Sequence, residues 1–199
     1  MANTSTDPGP RSVAAIVLAA GGSRRLGQPK QLVRLAGHSL VFRATYAAVA
    51  AGCRPVAVVV GAVADEVVRE IDSLRDADVH PVECGDWREG LSASLRCGLR
   101  GLEALPDVRA DAVVILPCDQ PALEPGVIGR LIDAWDGSPD GRVGCGYAGT
   151  IGSPGLFGRS LFPDLARLEG DRGAKTLLEG ARAIAWPEGA RDIDTPEDL

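Results

Sequence analysis

The sequence predicts an α/β protein, a three-layer α/β/α sandwich built on a Rossmann-like, mostly parallel sheet. Three observations predict it. Short continuous aliphatic runs at residues 13–20, 56–60 and 113–116 alternate with longer stretches of helical periodicity. The runs are apolar at every residue rather than every second one, as strands covered by helices on both faces must be. The residues of unusual chemistry follow those runs directly, where open parallel sheets leave a crevice beyond the carboxyl ends of their strands.

Residues 1–11 are polar and rich in Pro, Ser and Thr, with no apolar stretch of signal-peptide type, and read as a disordered leader before one domain over 12–199. Residues 13–20 read as the first buried strand. Ser39 caps a helix running to about Ala51 and ended by Gly52. Residues 56–60 form the next strand, and 64–74 an amphipathic helix with Val67, Val68 and Ile71 on one side. Residues 91–105 repeat Leu91, Leu95, Leu99 and Leu102 at helical spacing, after which 113–116 returns to a strand. Residues 125–135 predict a helix with Pro125 in its first turn. Two short helices at 161–168 and 174–179 and a strand at 183–186 complete the chain.

Composition narrows the function classes. A chain of 199 residues suits one domain. Its hydrophobic content of 45% with only 4% aromatics predicts an aliphatic core. A net charge of -6 argues against a broad basic face for nucleic acid, while a local cluster of cations can still hold a small phosphate ligand. No apolar run approaches the roughly 20 residues that cross a bilayer. The expectation is a soluble, cytoplasmic protein with neither nucleic acid nor membrane as partner. Cys53, Cys84, Cys97, Cys118 and Cys145 are odd in number, scattered and without a C-x-x-C pair, which argues against a disulfide framework or zinc site and suits a reducing compartment. His38 and His80 lie in no motif and read as structural, so no histidine general base is expected.

The segment Leu-Ala-Ala-Gly-Gly-Ser-Arg-Arg-Leu-Gly-Gln-Pro-Lys at 18–30 follows the first strand. Gly21 and Gly22 let the backbone approach a ligand, and successive N–H groups in such a turn can face phosphate oxygens. Arg25 and Lys30 add a planar donor fork and a point charge; Arg24 reads as a surface residue. Gly21, Gly22 and Gly27 fit neither the G-x-G-x-x-G dinucleotide loop nor the G-x-x-x-x-G-K-[ST] phosphate loop. Ser92 and Ser94 sit in the first turn of a helix, where hydroxyls satisfy free N–H groups. Asp119 stands just past a buried strand, well placed for Mg²⁺ and equally compatible with a turn. Asp192 and Asp194 alternate along an extended stretch and so share a face, ahead of a helix start at 195–198.

The 18–30 segment closely resembles the signature L-A-A-G-x-S-x-R-[LM]-G-x-x-K of the nucleotidyltransferases of molybdenum-cofactor biosynthesis, the MobA-like NTP transferases. Leu18, Ala19, Ala20, Gly21, Ser23, Arg25, Gly27 and Lys30 match. The resemblance implies a nucleotide-diphospho-sugar-transferase-like fold across nearly the whole chain. It implies that the backbone of 20–23, Gly22 included, holds the nucleotide with Leu18 and Ala19, and that Arg25 and Lys30 grip the triphosphate. Ala20, where the guanylyl branch has glycine, favours the cytidylyl branch and CTP. Trp87, Gly90, Ser94 and Gly98 are in register with a second family stretch, which places Gly90 and Ser94 against base and ribose. Asp119 and Pro121 match G-D-x-P with Cys118 replacing glycine, a side chain that would crowd the phosphates. The C-terminal D-x-D-T-P-E-D implies Asp194 and then Asp192 as further Mg²⁺ ligands beside Asp119. Residues 152–157 and 170–175 resemble the acceptor stretches, with Ser153 replacing histidine and Lys175 replacing arginine. Together these imply a Mg²⁺-dependent enzyme with Arg25, Lys30 and Asp119 as catalytic residues. It would move CMP from CTP to a phosphorylated acceptor such as molybdopterin, release pyrophosphate and deliver the product to a molybdenum enzyme. The alternative is an NAD(P)H-dependent oxidoreductase of the nicotine blue type, since the same cleft could hold a dinucleotide's phosphates.

Overall fold

Strand β1 (Val13–Leu18) is apolar on both sides, and the fold is layered around it. Val13, Ala15 and Val17 enter one core while Ala14 and Ile16 enter another. In the computed structural model, which describes residues 11–106 and 109–199, β1 is flanked by two parallel neighbours. One is β4 (Val56–Val60), paired from Ala15↔Val56 to Leu18↔Val59; the other is β6 (Ala112–Pro117), paired from Val13↔Ala112 to Leu18↔Pro117. Outside β4 lies β5 (Val79–Glu83), also parallel. On the other side β8 (Thr150–Gly158) runs antiparallel to β6, followed by β7 (Arg142–Tyr147) and β9 (Arg182–Ala185). The seven strands stand in the order β5-β4-β1-β6-β8-β7-β9, and β8 alone opposes the rest. A two-stranded hairpin, β2 (Arg34–Leu35) and β3 (His38–Ser39), leaves this sheet.

Helices α1 (Leu40–Ala50), α2 (Ala64–Ile71) and α4 (Pro125–Ala134) cover the first face with Val41, Ala44, Val67, Ile71, Ile128 and Leu131. Helices α3 (Leu91–Glu103) and α5 (Phe162–Ala166) cover the second with Leu95, Leu99, Leu102, Phe162 and Leu165. The expected three layers and mostly parallel sheet are present. Ser39 caps α1 as its type predicts, its hydroxyl accepting from the Phe42 N–H at 3.3 Å.

The departures are local and have physical causes. The first strand ends at Leu18, and Ala19 and Ala20 are buried beyond it. The second helix ends at Ile71 and tightens into a 3₁₀ segment over Asp72–Ala77. The helix expected at 174–179 is a 3₁₀ turn over Ala174–Leu178, and the one at 161–168 shrinks to α5 after a 3₁₀ turn at Arg159–Leu161. Strands β5, β7 and β8 carry Pro or Gly residues that suppress the aliphatic signal, and they form because neighbouring strands offer an edge. Of the leader expected at 1–11, residues 1–10 lie outside the described residues. Arg11 is held in place, with Nη1 donating to the Trp135 carbonyl at 2.8 Å and Nη2 to that of Asp136 at 3.1 Å. All five cysteines are free and buried. Among the described residues no helix is long and apolar enough to cross a membrane.

Close contact between α3 and the sheet fixes how the second layer sits. A Cβ at Gly98 would come within 2.6 Å of Ile16 Cγ2 and 3.0 Å of Val59 Cγ2, so the helix reaches β1 and β4 only because this residue has no side chain. Gly98→Val is therefore expected to destabilise the protein by about 1–3 kcal/mol through overpacking, read as a lower denaturant midpoint at unchanged slope.

Candidate active site

Consecutive strands lie to one side of β1 as β4 and β5, then the chain crosses to β6 on the other side. The strand order therefore reverses between β1 and β6, and a crevice opens there at the carboxyl edge. A cleft of about 470 Å³ occupies this place. Its walls come from the loop after β1, the start of α3, the loop after β6 and the C-terminal segment. Of the residues expected to bind nucleotide or metal, Leu18, Ala20, Gly21, Gly22, Ser23, Arg25, Lys30, Gly90, Ser94, Asp119 and Asp194 all line it. Ala19 does not; it is buried, and its carbonyl accepts from the Gln31 side chain. Arg24, expected only at the surface, is exposed and also lines the cleft.

The loop after β1 is shaped by one side chain that the motif reading passed over. Gln31, 1% exposed, donates from Nε2 to the carbonyls of Ala19 at 2.9 Å and Gly21 at 2.5 Å. Its Oε1 accepts from Ser23 Oγ at 3.3 Å, and Ser23 Oγ accepts from the Lys30 N–H at 2.9 Å. Ser23 takes a left-handed φ of 48°. These bonds turn the carbonyls of 19 and 21 inward to Gln31. Among the described residues the N–H groups of Gly21, Gly22 and Ser23 make no backbone hydrogen bond. They border the cleft, as a phosphate-binding nest requires.

Ion pairs join this loop to the acids. Lys30 Nζ contacts Asp119 Oδ2 and lies 3.2 Å from Asp194 Oδ1, while Arg25 Nη2 lies 2.8 Å from Asp194 Oδ2. Burial would lower the Lys30 pKa, but the touching Asp119 carboxylate and the Asp194 charge reverse this, and the net shift is upward. The C-terminal segment reaches the site because the Ile193 N–H donates to the Asp119 carbonyl at 2.9 Å and its buried side chain packs with Leu26, Val33 and Leu40. Asp198, in the capping box of the 3₁₀ turn at Pro196–Asp198, accepts through Oδ2 from the Asp194 N–H at 3.0 Å and the Thr195 N–H at 2.8 Å. The helix start expected at 195–198 thus serves to hold Asp194.

Asp192 stands outside this chain of ion pairs. Desolvation, then the like charges of Asp119 and Asp194, push its carboxyl up to about 6, with Lys30 opposing. Cys118 does not crowd the cleft. Its side chain packs into the first core, and burial pushes its thiol up to about 12. Neither histidine approaches the site: His38 stacks on Phe42 at 4.6 Å, and His80 Nε2 lies 2.7 Å from Asp78 Oδ1.

Further lining residues carried weaker sequence signals. The Trp87 ring packs beneath Gly61, where a Cβ would come within 2.8 Å of it, and beside Gly22. The Arg88 guanidinium stacks on that ring, 4.5 Å from its centroid. Gly90 has φ 113°, and a Cβ there would meet the Gly170 carbonyl at 2.6 Å and Asp171 Oδ1 at 2.7 Å. Ser92 is buried and donates from Oγ to the Gly170 carbonyl at 2.7 Å, so it fixes the 170–173 loop rather than facing the cleft. Asp171 lines both the cleft and a neighbouring cavity of about 690 Å³ that contains Arg172, Lys175 and Thr150. Ser153 lies on β8, its carbonyl accepting from the buried Gln120 side chain at 3.2 Å.

The donor set fits a hard divalent cation. Asp119 and Asp194 lie close enough to share one ammonium, and Mg²⁺ typically takes one or two carboxylates together with phosphate oxygens and water. Among the described residues no group of three or more His, Cys, Asp and Glu converges as a metal cluster.

The profile of a family described as "MobA-like NTP transferase domain" matches residues 15–186. The chain is 31% identical to the bifunctional protein GlmU of Sorangium cellulosum over 88% of its own length, but spans only 37% of GlmU. It is 30% identical to the nicotine blue oxidoreductase of Paenarthrobacter nicotinovorans, covering 94% of this chain and 91% of that one. Rv0371c of Mycobacterium tuberculosis superposes with a TM-score of 0.75 at 33% identity, over 94% of this chain and 95% of its own. Its manganese complex gives 0.72 at 30% identity over the same shares. A nucleotidyl transferase from Methanothermobacter thermautotroptrophicus gives 0.78 at 25% identity over 95% and 94%.

Two outcomes follow from these contacts. Gln31→Leu leaves two carbonyls without their donor and is expected to weaken both folding stability and nucleotide binding by about 1–3 kcal/mol each, read in thermal unfolding and calorimetric titration. Asp192 carries a folded pKa above its ordinary value of about 3.9, so the folded chain holds the extra proton between about pH 4 and 6, and stability is lost as pH rises through that window. Asp192→Asn should raise the melting temperature near pH 7, modestly because this side chain keeps contact with water, and the gain should vanish below about pH 4.

Proposed function

The chain belongs to the MobA-like NTP transferase family, and we propose that, as a nucleotidyltransferase, it moves CMP from CTP to a phosphorylated acceptor such as molybdopterin, with Mg²⁺ and with release of pyrophosphate. The observation that carries this reading is the meeting of Lys30, Asp119 and Asp194 at the mouth of a glycine-rich backbone loop. Pure phosphate binding needs the loop and the cations; a pair of carboxylates in the same cleft adds a place for a cation on the triphosphate.

In this reading the N–H groups of Gly21, Gly22 and Ser23 hold phosphate oxygens, and Gly90 and Ser94 border the base and ribose. An acceptor phosphate oxygen attacks the α-phosphorus of CTP in line. The new P–O bond forms as the bond to the β-phosphate oxygen breaks, and pyrophosphate departs with that electron pair. Arg25 and Lys30 offset the charge gathering on it. Asp119 and Asp194 would hold Mg²⁺, which would supply positive charge to offset that of the phosphates. The rest is positioning. The cavity with Arg172 and Lys175 adjoins the cleft at Asp171 and suits the acceptor's phosphate. Lysine grips a phosphate as a point charge rather than a planar fork, so Lys175 favours the acceptor's anionic end over a planar group. A cytoplasmic setting and onward delivery of the product to a molybdenum enzyme complete the proposal.

Substitution of Asp119→Asn keeps the side-chain volume and is expected to lower the rate of pyrophosphate release from CTP, Mg²⁺ and molybdopterin on the order of a hundredfold or more. Full activity in that variant would overturn the reading. A second reading has its own support in the 30% identity to nicotine blue oxidoreductase over nearly all of both chains. Oxidation of NADH or NADPH by a quinonoid dye, with no pyrophosphate formed from any nucleoside triphosphate, would favour it.

A further inference from the structure

We propose that Lys30 is an exchangeable cation that couples metal binding to nucleotide binding: without nucleotide its ammonium closes Asp119 and Asp194, and the arriving triphosphate draws it away and opens both carboxylates to the metal. This rests on the nucleotidyl-transfer reading and assigns the site an order of assembly.

Both acids are already engaged. Lys30 Nζ contacts Asp119 Oδ2 and reaches Asp194 Oδ1 at 3.2 Å, and Arg25 Nη2 takes the other oxygen of Asp194 at 2.8 Å. A metal that is to take oxygens of both acids meets Lys30 or Arg25 on each oxygen of Asp194. The Lys30 and Asp119 side chains are only 21% and 15% exposed, so salt and water weaken their pairing less than at a surface.

Charge points the same way. Arg25 and Lys30 balance Asp119 and Asp194, so the four contacting groups sum to zero. Within these four groups a divalent cation alone would leave two positive charges uncompensated, which the neighbouring Asp192 carboxyl offsets at most in part. A cation arriving with a triphosphate brings the negative charge that Arg25 and Lys30 then need as they leave the carboxylates.

The backbone allows this exchange. Lys30 is anchored at its N–H by Ser23 Oγ at 2.9 Å and opens the 3₁₀ turn Lys30–Leu32, while the neighbouring Gln31 is fixed by its own bonds. The flexible four-carbon stem of lysine can swing its ammonium between the acids and the phosphate loop while its base stays still. Both destinations line the same cleft. By linkage, the nucleotide then raises metal affinity by the same factor as the metal raises nucleotide affinity.

Free Mn²⁺ measured by electron paramagnetic resonance, with full-length protein and no nucleotide, tests the proposal without turnover. Lys30→Met should bind Mn²⁺ at least about fivefold more tightly than wild type, the low end of typical coupling between linked sites. Arg25→Met, which frees a single oxygen of Asp194, should gain less. Lys30→Arg, which keeps a cation, should stay near wild type. Adding a non-hydrolysable CTP analogue should raise Mn²⁺ affinity less in Lys30→Met than in wild type. Metal–phosphate contact is present in both, so the difference belongs to Lys30. Equal Mn²⁺ affinity of wild type and Lys30→Met without nucleotide would overturn the proposal, as would an equal gain in Lys30→Arg. If the analogue binds to neither protein, with or without Mn²⁺, the nucleotidyl-transfer reading fails, and the nucleotide-free comparison still decides the role of Lys30.

Discussion

The pairing of β1 with β6, residue for residue from Val13↔Ala112 to Leu18↔Pro117, is the constraint on which the site depends. Two parallel strands that start level must end level, so the loop after Leu18 and the loop after Pro117 emerge side by side. The chain reverses its direction of travel across the sheet between these strands, which leaves a crevice at their carboxyl ends. Glycine backbone on one side and Asp119 on the other then border one cleft. The antiparallel β8, paired with β6 from Ala112↔Gly158 to Ile115↔Gly155, extends the same register and brings Ser153 beside the residue that follows Asp119.

On that frame the polar groups are held by hydrogen bonds between segments distant in sequence. Gln31 supports the carbonyls of the phosphate loop, Ile193 ties the C-terminal segment to the Asp119 loop, and Asp198 fixes the backbone of Asp194. The buried Gln31 amide would be costly unless satisfied, and its satisfaction leaves the loop few alternative arrangements. The cations and carboxylates facing the cleft can therefore exchange partners while the atoms carrying them stay in place.

The parts legible in the sequence are those whose signal is local. Residues 56–60 form a strand as their unbroken aliphatic run predicts, α1 begins at its serine cap, and the eleven lining residues from Leu18 to Asp194 gather where a crevice was expected. Strands β7 and β8 were not legible because Gly144, Gly146, Gly152, Pro154 and Gly155 have low strand preference, and pairing with β6 and with each other overrides it. Gln31 sits one residue past the signature lysine and shows no chemistry of its own until the loop folds back over it. Asp171 enters the cleft because Ser92 in α3, 78 residues before Gly170, holds the Gly170 carbonyl. Cys118 looked disruptive since its position is judged in sequence by size alone, whereas the fold turns the thiol into the core.

Gln120 gives the last connection. Buried next to Asp119, its Nε2 donates to the carbonyl of Ser153 on β8 at 3.2 Å and to that of Gly189 in the turn Pro187–Ala190 at 3.1 Å. One amide thus joins the loop bearing a candidate metal ligand to the strand bearing the acceptor stretch and to the segment that leads into Asp192 and Asp194. Ser153 falls at the register shift between β7 and β8, between the paired residues Gly152 and Gly155, and its backbone carbonyl is tied to Gln120. Because that bond is to the backbone, which any residue supplies, the side chain at 153 can differ while Gln120 keeps this partner. That separation allows the end of the site proposed for the triphosphate to keep the family pattern while the end proposed for the acceptor departs from it at Ser153 and Lys175.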